Sequence, residues 1–308
     1  MFFQLVSSLL ALSIILPPAI VDSNVIAEDM DIVEQSSNAP TAPTRINFDN
    51  INVKVQAISG IAIDEASGAV LWQKKPDIQR PMASITKLVT ALVTLKSDVS
   101  LNTTVTILGS DERNGTKRHI RGGDKLKIGD ILATALVGSN NTAAVALGRV
   151  VGNGNFIKIA LDVLQELGFI NTQIVEPSGL SARNISTARE IAHIATRVFE
   201  FPEAREAMTQ KQFVFTATGR YKRVVTVHNT NELLQKQWPR VLIGKTGYIN
   251  ESGYNFVAQS ENEQGDRIIV VLLGAPSNEA RFQDTKSVIH WVFENWEWQS
   301  SEEAQTEE

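Results

Sequence analysis

Strand-like segments lie near both ends of the chain's foldable part, and a long stretch with helical periodicity separates them. Two apolar runs, residues 56–64 and 69–73, flank a Gly-containing loop and predict a β-hairpin. Three more runs, at 241–248, 254–260 and 267–273, predict an antiparallel meander. Because one sheet can hold both groups only if the intervening chain is an insertion, the pattern predicts an α/β (α+β) fold. We expect an antiparallel sheet of about five strands, flanked by helices, with a mostly helical inserted subdomain.

Between the strand groups, apolar residues recur at the spacing of amphipathic helices. The predicted helices cover residues 85–95, 128–137, 142–151, 156–167 and 187–199. The apolar face of a last predicted helix, 279–296, consists of Val288, Ile289, Val292, Phe293 and Trp296. We expect this face to pack on the sheet. Membrane binding is the alternative, but the polar face of this helix lacks a dense stripe of Lys and Arg.

The N-terminal segment has the composition of an export signal. Residues 2–16 are almost all apolar, and small residues precede a candidate cleavage point after Ala27, so we expect residues 1–27 to be a signal peptide. No Lys or Arg precedes the apolar run, which leaves an N-terminal membrane anchor as the alternative. A run of roughly 15 residues is, however, shorter than the ~20 that a spanning helix needs.

Polar segments border the predicted folded domain. Residues 28–50 carry acids, Ser, Asn and two prolines without an apolar period, and predict a flexible linker. The domain itself is predicted over 51–298, with its helical insert at about 98–205. Residues 299–308 predict a disordered acidic tail.

Composition excludes several functional classes. Lys and Arg total 29 against 34 Asp and Glu, and the resulting net charge of -5 argues against binding to nucleic acid. The chain has no cysteine, which excludes disulfides, thiolate metal sites and cysteine nucleophiles. None of its 4 histidines is spaced like a zinc-ligand pair, so we do not expect a histidine-based metalloenzyme.

A serine and a lysine stand three residues apart where an apolar helix is predicted to begin. In PMASITK, residues 81–87, Ser84 lies in the first turn and Lys87 lies on the same helix face. A serine hydroxyl attacks an acyl carbon only when a base takes its proton, and a lysine is such a base when its ammonium form is disfavoured. Taken alone, the pair also fits an ordinary helix start with a solvated lysine.

Two further short motifs follow. Ser139-Asn140-Asn141 connects two predicted helices, so its side chains project from an inter-helical turn; the other Ser-x-Asn copies in the chain lack this frame. Lys245-Thr246-Gly247 lies on the predicted strand 241–248, where we expect the missing side chain of Gly247 to leave room for a substrate strand. A hairpin-edge lysine beside a chance glycine is the alternative for this motif.

The three motifs in this order, Ser-x-x-Lys, Ser-x-Asn and Lys-Thr-Gly, resemble the motif set of the penicillin-binding proteins and serine β-lactamases. The resemblance covers about residues 53–298 and implies a β-lactamase/transpeptidase-like fold. The stretches RPMASITK from Arg80, EPSGL from Glu176 and NISTA from Asn184 are similar to the low-molecular-mass D-alanyl-D-alanine peptidases. HNTN from His228, with the absence of a second domain after the catalytic one, is most similar to the penicillin-binding protein 7 type, a D-alanyl-D-alanine endopeptidase.

The resemblance implies a role for each catalytic side chain. Ser84 is the implied nucleophile, which forms an acyl-enzyme with the penultimate D-alanine of a peptidoglycan stem peptide, and Lys87 is the implied base. Ser139 would relay a proton to the leaving amine, and Asn141 would hold Lys87 and the substrate amide. The resemblance implies no metal and no organic cofactor.

Substrate binding is implied for the third motif and the residue after it. Lys245 would supply positive charge for a substrate carboxylate and help to keep Lys87 neutral, while Thr246 would add a hydroxyl to that carboxylate. Gly247 belongs to the same binding strand, and the N–H groups of Ser84 and Tyr248 would form the oxyanion hole. β-Lactam antibiotics are the implied inhibitors.

The implied protein is exported to the periplasm, has at most peripheral membrane association and acts on peptidoglycan peptides rather than nucleic acid. The alternatives are a D-alanyl-D-alanine carboxypeptidase, a β-lactamase, and a cell-wall-binding protein without turnover. Class A β-lactamases use a loop glutamate followed four residues later by asparagine, whereas Glu176 is followed at that distance by Leu180. All motif side chains are intact, which disfavours a protein without turnover.

One strongly charged segment has no role in the implied peptidase mechanism. Residues 113–127 contain six cations: Arg113, Lys117, Arg118, Arg121, Lys125 and Lys127. We expect a solvated hairpin whose charge is offset by Asp111, Glu112 and Asp124. A groove that attracts anionic cell-wall peptides is the alternative.

Overall fold

The two groups of strands predicted from the sequence meet in one antiparallel sheet. In the computed structural model, which describes residues 40–49 and 52–299, the sheet consists of β2 (Ser59–Asp64), β3 (Val70–Lys74), β10 (Val241–Ile249), β11 (Gly253–Glu261) and β12 (Arg267–Ala275). The strand order is β10-β11-β12-β2-β3, with every neighbouring pair antiparallel. The predicted split sheet is therefore confirmed, and β12 joins its two halves.

Both faces of the sheet are covered by helices, which explains why β12 is apolar at consecutive positions rather than alternate ones. Ile269, Val271 and Leu273 enter the core that contains α5 (Ala188–Phe199). The residues between them, Ile268, Val270 and Leu272, enter the core that contains α8 (Asn278–Asn295). The sheet is thus the middle layer between α5 and α8.

The predicted packing of the last helix on the sheet is confirmed. Val288, Ile289 and Val292 are fully buried against the sheet, whereas Phe293 is only partly buried. The predicted end of the helix is one residue too late. Trp296 lies in the extended β13 (Trp296–Glu297), which pairs with β1 (Thr44–Arg45), so it leaves the helical face.

The remaining helices lie between β3 and β10. They are α1 (Thr86–Lys96), α2 (Ile128–Val137), α3 (Asn141–Gly152), α4 (Phe156–Glu166), α6 (Pro202–Thr209) and α7 (Glu232–Gln235). Residues 86–94 of α1 are all buried, because α2, α3, α4 and α5 surround this helix. The start of α1 is therefore held from several sides. The five helices predicted in this region are confirmed within one or two residues.

Short two-stranded ladders also lie in this region, and the sequence analysis did not predict them. They are β4 (Arg80–Pro81) with β7 (Ile185–Ser186), β5 (Thr104–Thr106) with β6 (Lys125–Lys127), and β8 (Gln212–Ala217) with β9 (Arg223–His228). The prediction of a hairpin over residues 113–127 is wrong. Only its last three residues form a strand, and their partner is β5, whereas the rest of the segment is loop.

The start of the folded part also differs from the prediction. Thr44 and Arg45, which lie in the predicted flexible linker, form a short strand. This strand pairs with Trp296–Glu297, directly after α8, so the folded part of the chain begins earlier than predicted. The predicted signal peptide (1–27), residues 28–39 of the linker and residues 300–308 of the tail lie outside the described residues. No helix within residues 40–49 and 52–299 is both long and apolar enough to span a membrane.

Candidate active site

Ser84 lies on a strained turn at the start of α1. Residues 83–85 form a single 3-10 turn, and Ala83 has a φ of +49°, a conformation that is costly for a residue with a side chain. Two glycines make room for this turn. A Cβ at Gly179 would lie 2.0 Å from the Ala83 carbonyl oxygen, and one at Gly247 would lie 2.9 Å from the Met82 oxygen. The segments that contain Gly179 and Gly247 therefore pack closely against the turn and fix its position.

Lys87 connects Ser84 to two other segments through its amine. The Nζ atom lies 2.9 Å from Ser84 Oγ, 2.8 Å from Asn141 Oδ1 and 2.5 Å from the Ser178 carbonyl oxygen. As an ammonium group, Lys87 donates to all three oxygens. As a neutral amine, it keeps the bonds to Asn141 and Ser178 and offers its lone pair to the Ser84 hydroxyl. The geometry thus suits proton transfer between Ser84 and Lys87.

Electrostatics favour that neutral form. Burial lowers the pKa of Lys87 to about 7, and the nearby Glu176 carboxylate partly opposes the shift. Burial also lowers the pKa of Lys245, followed in size by repulsion from Lys87 and from Arg281. Repulsion between the two amines is reciprocal, so each ammonium group disfavours the charged form of the other in addition to the effect of burial. Two buried ammonium groups repel, so the state in which both lysines are charged is disfavoured.

The predicted inter-helical turn brings Ser139 and Asn141 to this centre. Ser139 has a φ of +54° and is almost fully buried, so it is a second strained residue at the site. Asn140 caps α3, because its Oδ1 accepts a hydrogen bond from Ala143 N at 2.8 Å. Asn141 accepts from Lys87 and donates through Nδ2 to the Asn114 carbonyl oxygen at 2.8 Å. Its amide is thereby fixed in one orientation.

Lys245 lies beneath the site rather than in contact with solvent. Its side chain is 0% exposed, and Nζ donates to Ser139 Oγ at 2.8 Å and to the Thr246 carbonyl oxygen at 3.0 Å. Thr246 Oγ1 in turn donates to Thr230 Oγ1 at 2.8 Å. Lys245 therefore reaches the site through the Ser139 hydroxyl, whereas its second bond is to the Thr246 carbonyl and not to the Thr246 hydroxyl.

Gly247 and Tyr248 complete the strand beside the nucleophile. The missing side chain of Gly247 admits the backbone of residues 82–85, so its role differs from the expected one of leaving room for a substrate. This close approach makes β10 a neighbour of the Ser84 turn, as an oxyanion hole between Ser84 and Tyr248 requires. The Tyr248 ring is 48% exposed and stacks on Tyr254 at 4.3 Å.

Sequence reasoning assigned no role to the segment 176–184, which forms one wall of the site. Glu176 turns its carboxylate into its own loop and accepts from Ser178 Oγ at 2.5 Å and Gly179 N at 2.6 Å. The fully buried Asn184 donates to Glu176 Oε1 at 2.9 Å and to Thr86 Oγ1 at 3.2 Å. These bonds tie the segment to the start of α1. The EPSGL motif distinguishes this segment in the sequence. The contacts of the segment with α1 are long-range, so the motif alone does not predict them.

Arg281 is a second residue without a predicted role. Its guanidinium is buried behind β10 and donates from Nη1 to the Gly247 carbonyl oxygen at 3.2 Å. Burial lowers its pKa to about 10. Arg281 therefore supports the strand that carries Lys245 and adds positive charge behind it.

Across the portion of the chain that the structure describes, no three His, Cys, Asp or Glu side chains are grouped so that they could hold a metal ion. The four predicted catalytic side chains, Ser84, Lys87, Ser139 and Asn141, are brought together, with Lys245 directly behind them. The arrangement can activate a serine hydroxyl, exchange protons through buried amines and attract an anionic group.

Comparisons with known proteins agree with this chemistry. The family model described as D-alanyl-D-alanine carboxypeptidase, peptidase S11, matches residues 44–277. The chain is 31% identical to a D-alanyl-D-alanine endopeptidase of Pseudomonas aeruginosa, over 76% of each chain. It is 29% identical to a D-alanyl-D-alanine carboxypeptidase of Haemophilus influenzae, over 79% of this chain and 63% of that one.

Its structure is similar to the crystal structure of the Streptomyces K15 DD-transpeptidase, with a TM-score of 0.74 and 26% identity, covering 79% of this chain and 99% of that one. The predicted β-lactamase/transpeptidase-like fold is therefore confirmed. The family match spans most of the described residues, and the motif side chains lie together at one site. The chain therefore belongs to the peptidase S11 family of serine D-alanyl-D-alanine peptidases.

Proposed function

We propose that this protein is a D-alanyl-D-alanine endopeptidase that cleaves crosslinks between peptidoglycan stem peptides through an acyl-enzyme on Ser84. The observation that carries the proposal is the position of Lys87 Nζ, 2.9 Å from Ser84 Oγ and 2.8 Å from Asn141 Oδ1. A neutral amine held in this way takes the hydroxyl proton as the serine attacks.

Acylation begins when the Ser84 oxygen forms a bond to the carbonyl carbon of the D-alanyl residue. The hydroxyl proton passes to Lys87, and negative charge develops on the carbonyl oxygen, which the N–H groups of Ser84 and Tyr248 stabilise. As the C–N bond breaks, the leaving amine takes a proton from Ser139 Oγ. Ser139 regains a proton from Lys245, whose Nζ lies 2.8 Å away.

Deacylation reverses the roles. Water attacks the ester carbon, gives a proton to the basic lysine pair, and the Ser84 oxygen leaves with the proton that Lys87 returns. A substrate carboxylate is attracted by the charge of Lys245, which acts through the Ser139 hydroxyl because the amine itself is buried. The Thr246 hydroxyl is a second donor for that carboxylate.

The relatives support endopeptidase over carboxypeptidase specificity. Relatives from Pseudomonas aeruginosa and Escherichia coli that are named D-alanyl-D-alanine endopeptidase match over 76% of their length. Carboxypeptidases of Haemophilus influenzae and Streptomyces match over 63% and 88% of their length, at 29% and 27% identity. The preference therefore rests on the 31% identity of the Pseudomonas aeruginosa endopeptidase and not on coverage. A D-alanyl-D-alanine carboxypeptidase remains the second candidate, favoured by the description of the family model.

We also propose that the protein acts outside the cytoplasmic membrane, in the periplasm, after removal of residues 1–27. The apolar run of residues 2–16 supports export, and peptidoglycan crosslinks occur only outside that membrane. N-terminal sequencing of the mature protein should begin near Glu28. Retention of Met1 would instead support an N-terminal anchor.

Digestion of purified crosslinked muropeptides, followed by mass spectrometry, tests the activity. We expect crosslinked dimers to disappear without release of free alanine, and the Ser84→Ala variant to leave the dimers intact. Release of free D-alanine with dimers unchanged would support the carboxypeptidase. Digestion by Ser84→Ala at the rate of the unmodified chain would refute the proposed nucleophile.

A further inference from the structure

A group of exposed cations lies on two segments, the first of which is hydrogen-bonded to Asn140 and Asn141 at the candidate active site. They come from two loops, residues 113–125 and 218–223, and comprise Arg113, Lys117, Arg121, Lys125, Arg220 and Lys222, which we call the basic surface. The exposed Tyr221 lies between the last two. Only the first of these segments stands out in the sequence as a long run of cations.

Contacts between the two loops make the basic surface continuous. Lys125 N donates to the Thr218 carbonyl oxygen at 2.8 Å, and a Cβ at Gly219 would lie 2.3 Å from the Gly123 carbonyl oxygen. Arg223 Nη2 donates to the His119 carbonyl oxygen at 2.8 Å. The tip of the β8–β9 hairpin therefore rests directly on the loop that precedes β6.

In the part of the chain that the structure describes, the cations of this surface form no ion pair with an acidic neighbour, although Glu112 interacts electrostatically with Arg121. The three acids expected to offset its charge are engaged by other arginines: Asp111 pairs with Arg149, Glu112 with Arg118 and Asp124 with Arg223. Within the described residues, none of the six cations of the basic surface has a carboxylate oxygen within 4.0 Å. A chain with five more acids than bases therefore keeps six unmatched cations in one place.

The same loop is bonded to the catalytic turn. The Asn114 carbonyl oxygen accepts from Asn141 Nδ2 at 2.8 Å, and the Lys117 carbonyl oxygen accepts from Asn140 Nδ2 at 2.9 Å. A Cβ at Gly115 would lie 3.3 Å from Asn141 Nδ2. The loop that carries the first cations of the basic surface therefore lies next to Asn141, the residue that contacts Lys87.

We infer that the basic surface binds the carboxylate-bearing peptides of polymeric peptidoglycan that flank the crosslink being cleaved. The inference rests on the proposed function and adds a second contact area, separate from the Lys245 region that attracts the reacting peptide. A crosslinked polymer presents many carboxylates near each scissile bond, whereas a small isolated peptide presents few. Exposed cations at the rim of a site accelerate the encounter with such a polyanion and impose a salt dependence on it.

Position favours this occupant over a membrane or a nucleic acid. The surface adjoins Asn141, so a polymer segment bound there lies next to the serine that cleaves it. A lipid bilayer against the same surface would cover the approach to the site. We therefore assign the surface to the substrate polymer.

The test compares two triple variants with equal loss of charge. The first, Arg121→Gln/Lys125→Gln/Lys222→Gln, removes three cations whose side chains make no hydrogen bond or ion pair within the described part of the chain. The control, Lys54→Gln/Lys75→Gln/Lys286→Gln, removes cations near β3, at the opposite edge of the sheet from β10, and on α8. Both are made with and without Ser84→Ala, so that binding is measured without cleavage.

Cosedimentation of the Ser84→Ala forms with purified peptidoglycan sacculi gives the binding result. At about 20 mM salt, we expect the basic-surface variant to bind roughly tenfold more weakly than the control variant, and the two to converge near about 0.5 M salt, where charges are screened. With Ser84 present, labelled penicillin should acylate both variants at rates within about twofold of each other, because steering of a small monoanion depends little on the rim.

Three outcomes would overturn the inference. Equal binding of the two variants to sacculi at low salt removes the proposed contact. A basic-surface variant that loses binding to vesicles containing phosphatidylglycerol, but keeps its binding to sacculi, assigns the surface to a membrane instead. Loss of penicillin acylation in that variant alone shows that the cations support the fold of the site. Because sedimentation needs no turnover, a failure of the proposed peptidase activity is distinguishable from each of these.

Discussion

Adding one methyl group at Gly179 tests whether the segment 176–184 fixes the position of the nucleophile. Gly179 has a φ of +85°, and its Cβ would lie 2.0 Å from the Ala83 oxygen and 2.9 Å from Ser84 N. Gly168 provides a matched control, since its φ is +79° and nothing lies within 4 Å of its Cβ position. Both Gly→Ala variants incur the cost of about 1–2 kcal/mol for a side chain in the left-handed region.

The difference between the two variants comes from the contact alone. Protein Cβ atoms do not approach other atoms closer than 3.0 Å, so a contact at 2.0 Å requires the Ala83–Ser84 peptide or the loop to move by about 1 Å. A misplacement of that size costs roughly 100-fold in rate, equivalent to about 2.7 kcal/mol in the barrier. We therefore expect Gly179→Ala to react with penicillin about 100-fold more slowly, and Gly168→Ala to react at the unmodified rate.

The assay is the second-order rate of labelling by a fluorescent penicillin, read on a denaturing gel, with the melting temperature measured in parallel. A lowered melting temperature is expected for both variants because both have the strained φ. Similar labelling rates for Gly179→Ala and Gly168→Ala in folded protein would refute the idea that Gly179 positions Ser84.

Four further predictions concern the base, the acyl-enzyme and the core. Lys87→Arg should fold but lose acylation, because arginine does not release its proton. With a pKa of about 7 for Lys87, acylation of the unmodified chain should rise about tenfold from pH 6 to pH 8 as the neutral amine accumulates; a flat profile with chemistry rate-limiting would exclude Lys87 as the base. A chromogenic cephalosporin should give one equivalent of product and then slow turnover, because the Glu176 carboxylate is occupied by its own loop; fast steady turnover would indicate a β-lactamase. Phe199 is fully buried, so Phe199→Ala should lower the free energy of unfolding by about 3–5 kcal/mol in a urea titration. Phe48 is exposed, so Phe48→Ala should change it by less than about 0.5 kcal/mol. Equal effects of the two substitutions would contradict the assigned core.

Local sequence signals predicted the elements that local interactions determine. The period of the helices and the apolar runs of the strands located most boundaries within two residues, and Ser84 and Lys87 lie together as expected because they share one helix start. The β8–β9 hairpin was missed although its sequence carries a signal. Residues 213, 215, 225 and 227 alternate with exposed positions on the two strands, as in a half-buried hairpin.

Long-range contacts account for what the sequence did not indicate. The burial of Lys245 depends on packing against Ser139, which lies 106 residues earlier in the chain. The bonds from Asn184 to Thr86 span 98 residues. No pattern within one segment reports such contacts, so the pathway of the Lys245 charge and the support from Asn184 emerged only from the structure.

The central place of β12 determines when during synthesis the protein can become active. β12 pairs with β11 on one side and with β2 on the other, so the hairpin made first joins the sheet only after residues 267–275 have been synthesised. Ser84 and Lys87 are made early, but Lys245 reaches them on a strand of that same sheet. A nascent chain that ends before β12 therefore carries every catalytic side chain and no assembled centre. The topology therefore requires residues up to 275 before the sheet that carries Lys245 is complete, and we expect a chain truncated before β12 to lack activity.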